Sequence, residues 1–186
     1  MKRIFDLSLV IISGITLFIP ILLIAIAVKI TSGSPVLYWS DRVGRNNKIF
    51  KMPKFRSMLI DTPDVASHLL QETDAWLTPV GKILRKSSLD ELPQIWSVLK
   101  EEMSFVGPRP ALHNQADLIA LRKEAGIDKL LPGITGWAQI NGRDELNIEE
   151  KVIFDKEYLN KKSILFDLKI ILLTIIRIIK YDGVKH

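Results

Sequence analysis

One uncharged stretch, residues 7–28, limits what this chain can fold into more than any other feature. As an α-helix its twenty-two residues would extend about 33 Å, close to the ~30 Å hydrocarbon core of a bilayer. The apolar part of a secretory signal is shorter and ends at small residues before a cleavage site. This stretch runs instead into Lys29 and Ile30. We therefore expect a membrane segment that the protein retains.

Pro20 lies near the middle of this stretch and predicts a break in the helix. Its ring removes one backbone donor and clashes with the carbonyl of Thr16. Nearby serine and threonine hydroxyls could bond the freed backbone groups. Basic residues flank both ends, so neither end is clearly the inner one. The residues alone leave two topologies equally open: a kinked span, and a re-entrant helix that returns to the same face.

Residues 163–180 predict a second membrane-associated element, rich in Ile and Leu. Its few polar residues recur at helical spacing along one side. That stripe comprises Ser163, Asp167, Thr174, Arg177 and Tyr181. A helix buried in a globular core would show the same pattern. The basic charge favours a helix in the membrane interface, with Lys169, Arg177 and Lys180 near lipid phosphates.

Composition narrows the partners and the chemistry. The net charge is +5, with basic ends and an acidic middle, which indicates a membrane or a nucleic-acid partner. The apolar segments favour membrane lipids, so we expect no nucleic-acid partner. The chain has no cysteine, which excludes a disulfide scaffold, a thiolate metal site and a cysteine nucleophile. Its three histidines are far apart, which argues against a histidine metal cluster or triad.

The middle of the chain predicts a small mixed α/β region. Residues 36–39 and 49–52 are expected as short strands around a turn at Asn46 and Asn47. Helical periodicity appears in four further segments, at residues 64–77, 89–99, 116–125 and 149–159. Residues 132–143 have the glycines of a loop.

Asp90 and Glu91, in the segment SSLDELPQ, are the first candidates for chemistry. Neighbours inside a helix point about 100° apart, so both carboxylates can face one ligand only at a helix start. If Ser88 caps the helix, Ser88 and Glu91 form a capping box with a purely structural role. If Asp90 caps it, Pro93 falls in the first turn and the helix-end amides keep Asp90 ionised, ready to attack or to bind metal.

Arg109 lies between two prolines in the segment GPRP. Each residue before a proline is kept out of helical backbone, so the segment is stiff. A guanidinium held in this way suits a phosphate, to which it can donate two parallel hydrogen bonds. A rigid turn that carries a solvated arginine is equally consistent with these four residues.

A basic cluster and a glycine-rich loop complete the candidates. The cluster comprises Arg42, Arg45, Lys48, Lys51, Lys54, Arg56, Arg85 and Lys86. A basic surface facing the membrane would explain it without catalysis. The loop reads PGITGWAQINGR, in which Trp137 could stack and Arg143 could hold a phosphate. It is neither a Walker A loop nor a GxGxxG motif, and a structural loop is as consistent with it.

Together these features predict phosphoryl transfer. An aspartate nucleophile, a second carboxylate for a divalent cation and several fixed cations are the groups that such a reaction needs. The two membrane segments suggest that one substrate is a lipid.

The order of these motifs resembles the bacterial sugar transferases, the small monotopic polyprenyl-phosphate phosphoglycosyl transferases. The matching segments are KRIFDLSLV, RVGRNNKIFKMPKFRSM, SSLDELPQIWSVLKEEMSFVGPRPAL, LLPGITGWAQINGR and FDKEYLNKKSILFDLKIILLTI. The resemblance implies an α+β, mostly α, monotopic protein on the cytoplasmic face of the bacterial inner membrane. Residues 1–35 would form a re-entrant membrane helix, residues 36–162 a cytosolic catalytic region and residues 163–186 an interfacial amphipathic helix.

The resemblance also implies a reaction, in which a phosphosugar moves from a UDP-sugar to undecaprenyl phosphate and UMP leaves. This is the first membrane step of surface glycan synthesis, as for exopolysaccharide, O-antigen or capsule. The family works through a covalent phosphosugar intermediate on the aspartate of its Asp-Glu pair, with Mg²⁺ as cofactor. Asp90 matches the nucleophile, Glu91 matches its partner, and both are the implied metal ligands.

Further site residues follow from the same resemblance. Arg109 matches the family's Pro-Arg-Pro arginine, with a cis bond expected between Arg109 and Pro110. Other polar active-site positions are matched by Lys54, Arg85 and Asp155. Substrate binding is assigned to Arg109, Pro110, Arg143, Arg56 and Trp137.

Two departures from the family pattern carry expectations of their own. Some members have serine before the helix-breaking proline, where this chain has Ile19, so Thr16 is expected to stabilise the break. Many hexose-phosphate transferring members have glutamate after GPRP, where this chain has Ala111. That difference favours an acetamido-deoxy sugar over glucose or galactose. The oligomeric state stays open, and a homo-oligomer is compatible with the sequence.

Two alternatives to this function remain. A membrane-bound glycosyltransferase would move the sugar without its phosphate and release UDP, with no aspartyl phosphate. A membrane-associated scaffold would use the basic cluster as its working surface and would turn nothing over. The buried-looking DELPQ and GPRP segments argue against the scaffold, because membrane binding does not need them.

Overall fold

The computed structural model describes residues 1–62, 73–142 and 145–180. Within these residues the fold is α+β and mostly helical, as predicted. Its elements are α1 (Lys2–Thr16), α2 (Phe18–Ser32), β1 (Leu37–Val43), β2 (Ile49–Phe55), α3 (Gly81–Lys86), α4 (Ile95–Leu99), β3 (Ser104–Val106), α5 (Ala116–Glu124), β4 (Gly133–Thr135), α6 (Trp137–Ile140), α7 (Ile148–Lys161) and α8 (Ile164–Lys180). Most of the helix predicted at residues 64–77 lies outside the described residues, and Thr73–Trp76 is a 3₁₀ turn.

The predicted break in the N-terminal apolar stretch lies between α1 and α2, whose axes differ by 63°. Leu17 separates the two helices, and Pro20 occupies the first turn of α2, where an amide has no helical partner in any case. The Thr16 hydroxyl donates to the carbonyl of Ile12, a bond that favours bending. No single helix within the described residues is long and apolar enough to cross a bilayer, whereas this bent pair qualifies by length and composition.

The predicted hairpin is confirmed, with β1 antiparallel to β2 in the register Leu37 to Phe55. Its turn contains Asn46 and Asn47, both with positive φ, a conformation that asparagine tolerates better than most residues. One face of β2 packs on α1 and α4 in an apolar core of Val10, Phe50, Met52, Val98 and Met103. The hairpin therefore contributes, together with α4, to the apolar core that Val10 of α1 enters.

A second sheet was not predicted, since residues 132–143 read as a loop. Strand β4 runs parallel to β3, with Ser104 opposite Gly133 and Val106 opposite Thr135. The backbones are so close that a Cβ on Gly133 would lie 2.1 Å from the amide nitrogen of Gly107. Three-residue strands are too short to show a period of two, so the pairing depends on contacts between distant segments.

The predicted C-terminal helix is present as α8, and two residues of its polar stripe, Asp167 and Thr174, face inward, whereas Ser163 and Arg177 are exposed. Asp167 is 1% exposed, and the Thr174 hydroxyl lies 2.7 Å from that of Thr135 in β4. Ile170 on the same inner face is fully buried, whereas other apolar side chains point outward, with Leu165 80% and Leu172 58% exposed. A helix on a water-facing surface would have mostly polar residues on its outer face, which in α8 is mostly Ile and Leu. Tyr181, the last residue of the predicted stripe, lies outside the described residues.

Candidate active site

Asp90 and Glu91 lie in the 3₁₀ turn Leu89–Gln94, which leads into α4 and packs against β2. They are buried, at 7% and 8% exposure. Ser88 precedes the turn in a left-handed conformation, and its side chain forms no capping bond in this part of the chain. The capping-box interpretation is therefore wrong. Asp90 is not the cap either, because it is the second residue of the turn.

Glu91 is held by two cations. Its Oε1 accepts a hydrogen bond of 2.8 Å from Nζ of Lys54, on β2, and one of 3.0 Å from Nη2 of Arg109. The three residues come from three separate segments, and all three were predicted as site residues. Because the Glu91 side chain is largely buried, these ion pairs are little screened by water.

Asp90, by contrast, accepts no hydrogen bond and forms no close ion pair among the described residues. Burial raises the pKa of its carboxyl group, and the charge of Glu91 adds to the rise. The cations Lys54, Arg85 and Arg109 lower the pKa and so favour the ionised form. A desolvated carboxylate that is near cations but bonded to none of them is suited to attack an electrophile.

Arg85 lies in the last turn of α3, where Nη1 is 2.9 Å from the sulfur of Met58. It acts on Asp90 through its charge, since it is among the cations that lower the Asp90 pKa. The assignment of Arg85 to the active site stays a prediction.

The GPRP loop is held mainly through its backbone. The amide of Gly107 donates to the carbonyl of Thr135, and the carbonyl of Pro108 accepts from the amide of Gly133, each at 2.9 Å. Pro110 is buried and its carbonyl accepts from Nη1 of Arg42 at 3.3 Å. The described chain has its cis peptide bond between Ser34 and Pro35, so the cis bond expected within GPRP is wrong.

Asp155 does not reach the carboxylate pair directly. It lies on α7, fully buried, and its Oδ2 accepts hydrogen bonds from Nε and Nη2 of Arg122 at 2.9 and 2.6 Å. The remaining terminal nitrogen of Arg122 donates to the carbonyl of Arg109 at 2.8 Å. Burial raises the pKa of Asp155, and Arg122 opposes that rise.

Arg122 was missed from the sequence, although a signal was present. It follows Leu118 by four positions in a predicted helix, so both residues share one face. An arginine on an apolar face is expected to find an acidic partner, because a buried guanidinium is costly alone. The sequence could not identify that partner, which lies 33 positions away.

Two residues assigned to substrate binding, Arg56 and Trp137, make contacts within the fold, and their assignment stays a prediction. The Arg56 guanidinium donates to the carbonyls of Ser32 and Ser34, at the end of α2. The Trp137 indole donates to Glu157 at 2.7 Å, and its ring packs on Phe166 and under the ammonium of Lys169. Arg143, the third, lies outside the described residues.

The predicted basic cluster divides among separate contacts. Lys51 pairs with Asp41 across the hairpin at 3.1 Å, and Lys54 turns inward to Glu91. Arg42 donates to the GPRP loop. These cations therefore serve several parts of the fold, and Lys54 contacts the carboxylate pair directly.

The carboxylate pair fits a divalent cation that is shared with a substrate. The described residues contain no group of three or more acidic or histidine side chains able to hold a metal. Mg²⁺, however, is commonly bound by one or two carboxylates together with substrate phosphates and water. Asp90 accepts no hydrogen bond within the described chain, so its oxygens are available to an ion, and Glu91 is its neighbour in sequence. These two residues would hold the ion once a diphosphate is bound.

Comparison with known proteins finds similarity over almost the whole chain. A family described as bacterial sugar transferase matches residues 1–181. The uncharacterized sugar transferase EpsL of Bacillus subtilis (strain 168) is 40% identical over 186 residues, which cover 100% of this chain and 91% of that protein.

Two longer relatives have names that state an activity. The undecaprenyl-phosphate glucose phosphotransferase of Komagataeibacter xylinus is 41% identical over 95% of this chain and 35% of that protein. The UDP-glucose:undecaprenyl-phosphate glucose-1-phosphate transferase of Escherichia coli (strain K12) is 43% identical over 83% of this chain and 35% of that protein. The chain thus spans about a third of the length of these two relatives.

Proposed function

Because this chain belongs to the bacterial sugar transferase family, we propose that it transfers a phosphosugar from a UDP-sugar to undecaprenyl phosphate and releases UMP. The names of two relatives state transfer of a glucose phosphate to undecaprenyl phosphate. The observation that carries the proposal is the contrast within the carboxylate pair. Asp90 is buried and unbonded within the described chain, whereas the neighbouring Glu91 is held by Lys54 and Arg109.

The proposed reaction is a double displacement. A carboxylate oxygen of Asp90 attacks the β-phosphorus of the UDP-sugar, and the bond from that phosphorus to the bridging oxygen breaks, so that UMP leaves. An oxygen of undecaprenyl phosphate then attacks the phosphorus held on Asp90. The acyl phosphate bond breaks, Asp90 is regenerated, and the product is undecaprenyl diphosphosugar.

The other residues of the site stabilise charge. Lys54 and Arg109 hold Glu91, and the Arg109 side chain is about one-third exposed, so it can also donate to a bound phosphate. Arg85 favours the ionised form of Asp90. Mg²⁺, held by Asp90 and Glu91, would neutralise the diphosphate.

The N-terminal helix pair supports a re-entrant topology, because both of its ends contact the same body of the protein. At the start of α1, Nζ of Lys2 binds Asp167 on α8 at 2.6 Å. Just after the end of α2, the carbonyl of Ser34 accepts a hydrogen bond of 2.9 Å from Arg56, which directly follows strand β2. A pair that crossed the membrane would separate its ends by ~30 Å of hydrocarbon.

The size of the helix pair agrees with insertion into one leaflet. Each helix has 15 residues and is about 22 Å long. With both ends at one surface, a 63° bend would put the apex about 12 Å deep, within a leaflet of about 15 Å of hydrocarbon. The apex carries exposed apolar side chains at Ile15, Phe18 and Ile19. The outward apolar face of α8 fits contact with the same membrane.

We place the site on the cytoplasmic face of the bacterial inner membrane, where nucleotide sugars and the lipid phosphate would meet. Lipid contact along α1, α2 and α8 would bring the acceptor phosphate to the surface that carries the carboxylate pair. The sugar stays a prediction, an acetamido-deoxy sugar inferred from Ala111, which is buried beside Pro110.

The experiment that tests the proposal identifies the released nucleotide. Detergent-solubilised protein is mixed with undecaprenyl phosphate, Mg²⁺ and a panel of UDP-sugars that includes acetamido-deoxy sugars. We expect release of UMP that depends on the lipid. Release of UDP would mean a glycosyltransferase without the aspartyl intermediate. Binding to anionic vesicles with no nucleotide released from any donor would favour the scaffold.

Two variants test the assigned roles. Asp90→Asn should abolish UMP release, and mass spectrometry should find a phosphosugar adduct on Asp90 in the wild type when lipid is omitted. Arg109→Ala should lower kcat/KM about 10²-fold, since the loss of one donor to a transition-state oxyanion costs on the order of 3 kcal/mol. Glu124→Gln, an exposed carboxylate on α5, is the matched control. Near-normal turnover by Asp90→Asn would contradict the mechanism.

A further inference from the structure

A buried ion pair lies behind the GPRP loop, and the reaction proposed above gives it no role. Arg122 is 9% exposed and Asp155 is 1% exposed. Two nitrogens of Arg122 bind one oxygen of Asp155, and its third, Nη1, binds the carbonyl of Arg109 at 2.8 Å. All three nitrogens of the guanidinium therefore have partners, and one partner is the backbone of the residue that holds Glu91.

Stability alone does not explain this buried ion pair. Desolvating two charges costs several kcal/mol, and a well-packed apolar pair of similar volume is often as stable or more so. What an apolar pair lacks is direction. A guanidinium locked by two bonds to a carboxylate can turn its remaining N–H groups only one way. Here that direction is toward the Arg109 carbonyl.

The Arg109 carbonyl is a sensitive point of the loop. The peptide between Arg109 and Pro110 has no N–H group, because the second residue is proline. Its carbonyl is thus the only hydrogen-bonding group of that peptide. The peptides before and after it are held by Gly133 and Arg42. The bond from Arg122 is what holds the peptide nearest the Arg109 side chain.

We propose that Arg122, oriented by Asp155, is a positioning residue that fixes the Arg109 backbone and thereby aims the Arg109 guanidinium at Glu91 and at the substrate diphosphate. This inference rests on the proposed function. It gives Asp155 a role two contacts away from the reacting atoms, through Arg122 and then Arg109. Displacing a binding group by about 1 Å can lower a rate by about 10²-fold, so such support affects turnover without touching substrate.

The test is a cycle between the ion pair and Arg109. The double substitution R122M/D155L replaces both charges with apolar side chains, so no buried charge is left unpaired. It is made in the wild type and in the Arg109→Ala background, and kcat and KM are measured for UMP release. We expect kcat/KM to fall about tenfold or more with Arg109 present and less than twofold when Arg109 is absent.

Controls separate positioning from a general loss of structure. Lys123→Gln changes the exposed neighbour of Arg122 on α5 and should leave kcat/KM unchanged. If the double variant does not fold, Arg122→Lys goes through the same cycle, because lysine keeps a charge for Asp155 but lacks the fork of donors. An equal loss in both backgrounds, or no loss in either, would overturn the proposal.

A second readout does not require turnover. Affinity for UDP in the presence of Mg²⁺ is measured by calorimetry on the wild type, the R122M/D155L variant, the Arg109→Ala variant and their combination. Positioning predicts that the ion-pair substitution weakens UDP binding only when Arg109 is present. If the wild type binds UDP but releases no UMP, the proposed function fails while this comparison still decides the positioning role. If proteins that retain Arg109 bind UDP with the same affinity with and without the ion pair, that role is contradicted.

Discussion

At the scale of single residues, two adjacent carboxylates have different surroundings. Glu91 accepts bonds from Lys54 and Arg109, and Asp90 accepts none within the described chain. The 3₁₀ turn explains the difference, because its successive side chains point about 120° apart. One carboxylate can therefore face the strand and the GPRP loop while its neighbour faces elsewhere. Local backbone geometry separates the anchor from the proposed nucleophile.

A second residue with an unusual environment is Tyr158 on α7. Its hydroxyl donates to Asp167 at 2.8 Å and lies 3.1 Å from the carbonyl of Val106, just before GPRP. Burial, and then the charge of Asp167, raise the pKa of Tyr158 above its usual value of 10.0. The folded protein therefore keeps a proton that the unfolded chain releases above pH 10.

This difference predicts a loss of stability at alkaline pH. Since the unfolded state binds fewer protons above pH 10, the free energy of unfolding should fall by up to about 1.4 kcal/mol per pH unit from this group alone. Tyr158→Phe, which cannot ionise, should be less stable at pH 8 but lose less between pH 10 and 11. Thermal unfolding of both proteins at several pH values checks this, with Tyr38→Phe as an exposed control. Parallel pH curves for wild type and Tyr158→Phe would contradict the prediction.

At the scale of elements, the pairing of β3 with β4 joins the two motifs of the site region. GPRP follows β3, and β4 lies within the PGITGW segment. The glycines of these motifs are explained by the closeness of the two backbones. Beside the 2.1 Å contact described above, a Cβ on Gly133 would lie 2.3 Å from the carbonyl oxygen of Thr135. Backbone atoms in a paired strand cannot move aside.

Gly133→Ala should therefore destabilise the protein by about 3 kcal/mol or more, or prevent its accumulation. Gly14→Ala is the matched control, because a Cβ there meets no heavy atom of the described chain within 4 Å and the residue is helical. That control should be neutral or slightly stabilising. Expression level and denaturant unfolding in detergent check both variants. A Gly133→Ala protein as stable as the wild type would show that the two strands are not packed this closely.

At the scale of the whole molecule, three helices present apolar surface away from the core. Helices α1 and α2 expose large apolar side chains along their length, and α8 exposes Leu165, Leu172 and Ile178 on its outer face. Polar bonds tie these helices to the body, such as those from Arg3 to the carbonyls of Val98 and Leu99 at 2.7 and 2.8 Å. This arrangement suits a protein whose outer surface is partly in contact with lipid, because polar groups that face lipid must find hydrogen-bond partners within the protein.

The re-entrant topology predicts that both ends of the α1–α2 pair lie on one side of the membrane. The chain has no cysteine, so single cysteines report their side without background. One is placed in an N-terminal extension and another at Lys51, an exposed hairpin position. A membrane-impermeant maleimide should label both in inverted vesicles and neither in intact spheroplasts. Labelling of the N-terminal extension from outside would mean that the pair spans the bilayer.

Much of this protein could be predicted from residues that are close in sequence. The break near Pro20, the hairpin with its asparagine turn, and the helices α5, α7 and α8 all follow from backbone preferences and periodicity within about ten residues. The same local patterns singled out Asp90, Glu91 and Arg109, because a carboxylate pair beside a helix-breaking proline and an arginine between prolines are unusual chemical arrangements.

Only the tertiary structure decided which partners these groups have. Lys54 is 37 positions from Glu91, and Arg122 is 33 positions from Asp155, distances at which no periodicity relates two side chains. Other long-range contacts join Arg56 to the carbonyl of Ser34, Trp137 to Glu157 and Thr174 of α8 to Thr135. Local sequence determines backbone conformation through short-range sterics, whereas the pairing of charges depends on which buried surfaces meet when the chain packs.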